Sequence, residues 1–130
     1  MADDSLITPD LLRALALKES SGGTRLLGDK GLVNKAYGTY QIRKPAYLDV
    51  VRLRKELADV PFSQVQSDQQ MNETFARAYL SVLANEYGLK DIDSLLMGYN
   101  AGPTAVRRGK VPPSAQTYSH EVQQLMQKGR

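Results

Sequence analysis

The chain has 130 residues, enough for one domain with a core of its own. It contains no cysteine, which excludes disulfides, thiol nucleophiles and zinc fingers, and a single histidine, His120, which excludes His-cluster metal sites and argues against a Ser-His-Asp triad. Seventeen basic and fourteen acidic residues leave a net charge of +3, a mild excess that suits an anionic polymer, and its densest stretch is Arg107-Arg108-Gly109-Lys110.

The opening Met-Ala-Asp-Asp-Ser has neither a basic n-region nor an apolar h-region, and no apolar run approaches the length of a membrane span. The expectation is a protein made without an ordinary export signal, carried by other means to any target outside the cytoplasm. Thr8-Pro9-Asp10 reads as an N-cap, a proline at the first helical position and an acid in the first turn, launching a helix through Glu19. Leu12, Leu15 and Ala16 recur at helical spacing, and Glu19 continues the same apolar stripe. A carboxylate on a buried face, at the negative end of a helix dipole, is favoured in its protonated form. A glutamate leaning into solvent at a helix end is the ordinary alternative, and this stretch alone does not decide between them.

From Gly22 to Ile42 the pattern changes to glycines at 22, 23, 28, 31 and 38, with Asp29-Lys30-Gly31 as a turn signal; a loop with a short β-hairpin ending in Tyr37-Gly38-Thr39-Tyr40-Gln41-Ile42 is expected. Pro45 restarts a helix with Tyr47, Leu48, Val51 and Leu57 as its stripe, ended by Val60-Pro61. Ser67 and Gln70 form a capping box for a third helix carrying Met71, Phe75, Ala78, Tyr79, Val82 and Leu83, closed by Gly88. A fourth helix from about Asp91 carries Ile92, Leu95, Leu96 and Tyr99 into Asn100-Ala101-Gly102-Pro103, and a short helical turn runs to Gly109. Val111-Pro112-Pro113-Ser114 then leads into a last helix with Tyr118, Val122, Leu125 and Met126 inward. No internal repeat or linker is visible, so the reading is a single mostly α domain with a small β-hairpin or irregular insert after the first helix.

Three separated pieces belong together: Glu19-Ser20, Tyr37-Gly38-Thr39-Tyr40-Gln41-Ile42, and Leu96-Met97-Gly98-Tyr99-Asn100-Ala101-Gly102-Pro103. In this order they resemble the lysozyme-like lytic transglycosylase (SLT domain) family, with its Glu-Ser pair at a helix end, its Gly-Leu-Met-Gln-Ile-like strand and its Ala-Tyr-Asn-Ala-Gly-Pro segment. Pro45-Ala46, Tyr79-Leu80 and Tyr118 extend the likeness over most of the chain. The resemblance implies a lysozyme-like α+β fold, mostly α, over residues 1–130. It also implies cleavage of the β-1,4 bond between N-acetylmuramic acid and N-acetylglucosamine in peptidoglycan, without cofactor or metal.

By position Glu19 matches the catalytic acid, and Ser20, Gln41, Tyr99, Asn100 and Tyr118 match residues that order or line the cleft; Tyr40 is grouped with them. Tyr99 and Tyr118 also suit a core role, with the hydroxyl satisfied at the boundary. Thr39-Tyr40 stands in place of Leu-Met, and Gly98 in place of Ala. The stretch from Gly28-Asp29-Lys30-Gly31 to Tyr47 looks like the loop of invertebrate-type lysozymes that carries a second acid, which makes Asp29 a candidate partner carboxylate; an Asp capping its own turn is the structural alternative.

Glycosidic cleavage needs an acid for the leaving oxygen and support for an oxocarbenium-like centre, from a second carboxylate or from the substrate's acetamido group. Seven tyrosines, with two Phe and no Trp, suit a cleft that stacks sugars and bonds their hydroxyls. The expected partner is thus a peptidoglycan glycan strand, met as a monomer or as part of a virion or secretion assembly. Three readings remain alongside the transglycosylase: a hydrolytic lysozyme using Glu19 and Asp29, a glycan-binding or assembly module without turnover, and a nucleic-acid-binding domain using Arg107, Arg108 and Lys110.

Overall fold

The computed structural model describes residues 3–20 and 38–128. Among these residues the secondary structure is helical, without a strand: α1 Pro9–Ser20, α2 Lys44–Leu53, a 3-10 turn Lys55–Leu57, α3 Phe62–Ser67, α4 Gln69–Asn85, α5 Ile92–Ala101, α6 Pro103–Arg107 and α7 Pro113–Lys128. No helix among them is long and apolar enough to cross a membrane. The chain divides into two compact units, one made of Met1–Ala14 with Leu80–Arg130 and the other of Leu15–Tyr79.

In the first unit the helix ends follow local signals. The Thr8 hydroxyl accepts the backbone N–H of Leu11 at 3.2 Å, as an N-cap should. At the far end of α4, Gly88 takes φ +74°, a left-handed dihedral that glycine adopts without strain, and the Leu89 N–H reaches back to the Leu83 carbonyl at 3.0 Å. Asp91 caps α5 by accepting the Ser94 N–H at 2.8 Å, and Gly102 at φ +89° separates α5 from the proline that starts α6. Leu95 and Leu96 of α5 and Ala115, Tyr118 and Val122 of α7 are buried. Ser119, with no exposed surface, donates its hydroxyl to Asp93 and so ties α7 to α5. The Arg13 guanidinium donates to the carbonyls of Leu125 and Met126 at 3.4 and 3.3 Å, satisfying acceptors that the end of α7 would otherwise leave open.

The second unit departs from the sequence reading in four places. α2 ends at Leu53 because Arg54 is extended (φ −128°, ψ 104°), and Leu57 falls in a 3-10 turn rather than on the α2 stripe. That break lets Val60 offer its carbonyl to the Tyr47 hydroxyl at 2.6 Å, a tertiary bond that periodicity cannot foresee. The Tyr47 ring packs against Phe62 and Phe75, with ring centres 4.9 and 5.6 Å away. Within α2 it is Val50 that is fully buried, while Leu48 is 50% exposed: Tyr47, Val50 and Val51 follow the i, i+3, i+4 spacing of one face and Leu48 lies beside it.

The capping box is also displaced. Residues 62–67 are already helical, so the Ser67 hydroxyl turns back to the Ser63 carbonyl, and Asp68 caps α4 by accepting the N–H groups of Gln70 and Met71 at 2.9 and 3.2 Å. Finally, the expected strand ending at Ile42 is a turn over residues 38–41, closed by Gln41 N–H to Gly38 C=O at 3.1 Å, with Ile42 an isolated bridge residue. The remainder of the expected hairpin, residues 22–37, lies outside the described residues.

Candidate active site

Glu19 and Ser20 form the last turn of α1. Leu15 and Leu12, one and two turns earlier on the same face, are 0% and 4% exposed, and Glu19 itself is part-buried, so the stripe does run into the carboxylate. Ser20 has no exposed surface, and its hydroxyl donates within reach of two carbonyls, Ala16 at 3.1 Å and Thr39 at 2.7 Å. The first is a bond of the helix to itself; the second crosses nineteen positions and fastens the 38–41 turn to the end of α1. The Glu-Ser and Gly-Thr-Tyr-Gln pieces are thereby joined through one hydroxyl.

The turn is over-determined from its other side by α4. Asn72, 1% exposed, accepts the Tyr40 N–H at 2.9 Å and donates to the Val65 carbonyl at 3.0 Å. Gly38, at φ +82°, packs so closely on Asn72 that a Cβ there would sit 2.2 Å from its amide nitrogen. Gln41 pays for the turn's shape with φ +52°, uncommon for a side-chain-bearing residue, and its amide donates to the Gly38 carbonyl at 2.8 Å. Its side-chain direction is thus set by the turn itself.

Tyr40 is 6% exposed, and its hydroxyl donates to Glu73 at 3.2 Å. Burial and then the Glu73 charge push the Tyr40 phenol up to about 12. Tyr40, with Thr39, Gln69, Gln70 and Glu73, lines a small pocket of about 230 Å³. Thr39 donates to Gln69 Oε1 at 2.5 Å, and Glu73 also faces Arg77 at 3.5 Å. Hydroxyls, amides and a carboxylate around a small opening suit the groups of a sugar.

Among the residues expected at the site, Glu19, Ser20, Tyr40 and Gln41 thus fall in the second unit. Tyr99 and Asn100 lie in the last turn of α5 and Tyr118 on α7, all in the first unit. Tyr99 is part-buried, Asn100 exposed and Tyr118 5% exposed. Gly98, one position before Tyr99, is buried, and a Cβ on it would come within 2.5 Å of a Leu89 methyl. Leu89 therefore occupies the space of the alanine methyl that the sequence pattern expects there. Asp29 lies outside the described residues. Among the described residues no group of three His, Asp or Glu is arranged to hold a metal ion.

Asn72 and Glu73 are the participants that the sequence reading missed. Asn72 does leave a signal: with Phe75, Ala76, Tyr79 and Leu83 it occupies one buried face of α4, so it is a polar side chain on an apolar stripe, the same anomaly that marks Glu19.

The transglycosylase SLT domain family model matches residues 2–122. No curated protein and no solved structure matches the chain.

Proposed function

Because the chain belongs to the transglycosylase SLT domain family, whose substrate is peptidoglycan, we propose that it is a single lysozyme-like catalytic domain that cleaves the β-1,4 bond between N-acetylmuramic acid and N-acetylglucosamine as a lytic transglycosylase. The supporting observation is the 2.7 Å bond from Ser20 to the Thr39 carbonyl, which holds the residue after Glu19 and the turn bearing Gln41 as one piece.

In this reading the Glu19 carboxyl protonates the leaving oxygen of N-acetylglucosamine while the substrate's acetamido oxygen closes on C1 of the muramic acid. The Glu19 carboxylate then takes the proton of the C6 hydroxyl, whose oxygen attacks C1 and reopens the acetamido ring. The product is a 1,6-anhydro end, no water is consumed, and Glu19 recovers its proton. Gln41, with its amide oriented by the Gly38 carbonyl, contacts the sugar, while Ser20 holds the turn and Tyr40 supports it; Tyr99, Asn100 and Tyr118, in the other unit, are each proposed as sugar-contacting residues on the family resemblance.

The test is digestion of purified cell-wall sacculi with mass spectrometry of the released muropeptides. The wild type releases products one water lighter than hydrolytic ones, Glu19→Gln loses about two to four orders of magnitude in rate, and Asp29→Asn stays active. Reducing-end products together with an inactive Asp29→Asn would replace this reading by a two-carboxylate lysozyme, and a folded Glu19→Gln that still digests sacculi would remove Glu19 from the chemistry.

A further inference from the structure

The chain's densest basic stretch folds into an exposed turn at the end of α6. Arg107 is the last residue of that helix, Arg108 caps it, Gly109 takes φ +67°, and the Lys110 N–H returns to the Ala105 carbonyl at 2.9 Å. The backbone is therefore held as a compact loop, and Arg107, Arg108 and Lys110 are all exposed. None of the three is ion-paired with a carboxylate among the described residues, whereas Arg13, Arg52 and Arg77 each face an acidic residue one turn away on their own helix. Arg107 is further steadied by its guanidinium lying 6.0 Å from the centre of the Tyr87 ring, which places the cation without neutralising it.

Three unneutralised cations within four positions repel one another, so a loop that keeps them together is stabilised by a bound anion. The turn follows Asn100 by seven positions (107 − 100), with only Gly102 and the first four residues of α6 between α5 and Arg107. Two arginines present planar donor forks that match carboxylates in pairs, and Lys110 adds a point charge. The footprint is a single turn, too small for the six to ten phosphate contacts of a nucleic-acid binder. Small groups of carboxylates spaced along a neutral glycan strand fit it better than a continuous phosphate backbone.

We propose that the Arg107-Arg108-Gly109-Lys110 turn is a carboxylate-binding surface that engages the acidic peptide stems carried by the glycan strand. This rests on the peptidoglycan reading above and adds to it a preference for strands with free stem carboxylates.

The experiment is co-sedimentation of the full chain with sacculi free of phosphate polymers, using Glu19→Gln to hold back turnover and a salt titration from low to high ionic strength. One portion of the sacculi is intact and one has its carboxyl groups capped as amides. The triple variant Arg107→Gln/Arg108→Gln/Lys110→Gln, made on the same background, is expected to bind intact sacculi about tenfold more weakly with a flatter salt dependence, and to match its parent on capped sacculi. Its melting temperature should stay close to the parent's, since the Arg107–Tyr87 contact that it removes is exposed and weak. Equal binding of parent and triple variant to intact sacculi overturns the proposal, as does an equal loss on both preparations. Tighter binding of the parent to duplex DNA than to intact sacculi, abolished in the triple variant, overturns it in favour of nucleic acid. Failure of the underlying reading is seen separately, as a wild type that releases no muropeptides.

Discussion

The backbone N–H of Tyr40 donates to Oδ1 of Asn72 at 2.9 Å, a bond between a turn and a helix 32 positions further along the chain. Both groups are buried, and the other end of the same amide holds the Val65 carbonyl. One side chain therefore satisfies two backbone groups that water cannot reach, and the shape of the turn bearing Gln41 depends on it.

Asn72→Leu keeps the volume but leaves the Tyr40 N–H and Val65 C=O without partners, at a cost of about 3 kcal/mol in urea unfolding. Turnover on sacculi, measured well below the melting temperature, should fall further than for Val122→Ala, a core change of similar cost in the other unit. Equal activity per folded molecule in the two variants would reduce Asn72 to a purely structural residue.

Ser20→Ala removes the hydroxyl that reaches the Thr39 carbonyl at 2.7 Å and strands a polar group under a fully buried position. About 1 to 2 kcal/mol of stability should be lost. The 38–41 turn should also become detectable as faster amide exchange at Gln41, whose N–H is bonded within that turn at 3.1 Å. Unchanged exchange there would mean that Asn72 alone holds the turn.

Tyr40 has its phenol raised to about 12 by burial and by Glu73, above the ordinary 10 of an unfolded tyrosine. Between those two values the unfolded chain has lost the proton that the folded chain keeps, so stability falls as pH rises through that window and is intact below pH 10. Tyr40→Phe cannot ionise. Its urea midpoint should therefore decline less than the wild type's between pH 10 and 12, although at pH 7 it lies lower by the lost bond to Glu73. Parallel declines in the two proteins would contradict the burial of this hydroxyl.

Gly98→Ala gains about 1 kcal/mol of helix propensity but drives its new methyl to within 2.5 Å of Leu89. Overpacking of that kind costs about 1 to 3 kcal/mol, so a net loss of roughly 1 kcal/mol is expected. Leu89→Val alone should destabilise, and the double variant should be more stable than the sum of the two single effects, because the valine vacates the space the methyl needs. Strict additivity in a thermal-unfolding cycle would show that the two sites do not touch.

The sequence by itself determined the helices and most of their ends, because caps, glycines and prolines act within a few residues. Thr8 and Pro9 start α1, Gly88 closes α4, Asp91 starts α5 and Gly102-Pro103 divides α5 from α6, each through a bond or dihedral preference that spans at most one turn. It also marked Glu19, since a carboxylate on a stripe of leucines is visible as a pattern, and its three motif pieces fall within residues 2–122, the stretch that the family model matches. What only the tertiary structure decided is where the chain is bent by partners remote in sequence. Thr39, Tyr40 and Ile42 are residue types common in strands, yet residues 38–41 form a turn with Gln41 at φ +52° because Ser20 holds one side and Asn72 the other. α2 stops at Leu53 with no breaker in sight, so that the Val60 carbonyl can meet Tyr47. Local propensities are worth tenths of a kcal/mol per residue, whereas leaving a buried backbone group unpaired costs one or more, so wherever the two compete the long-range hydrogen bond sets the backbone.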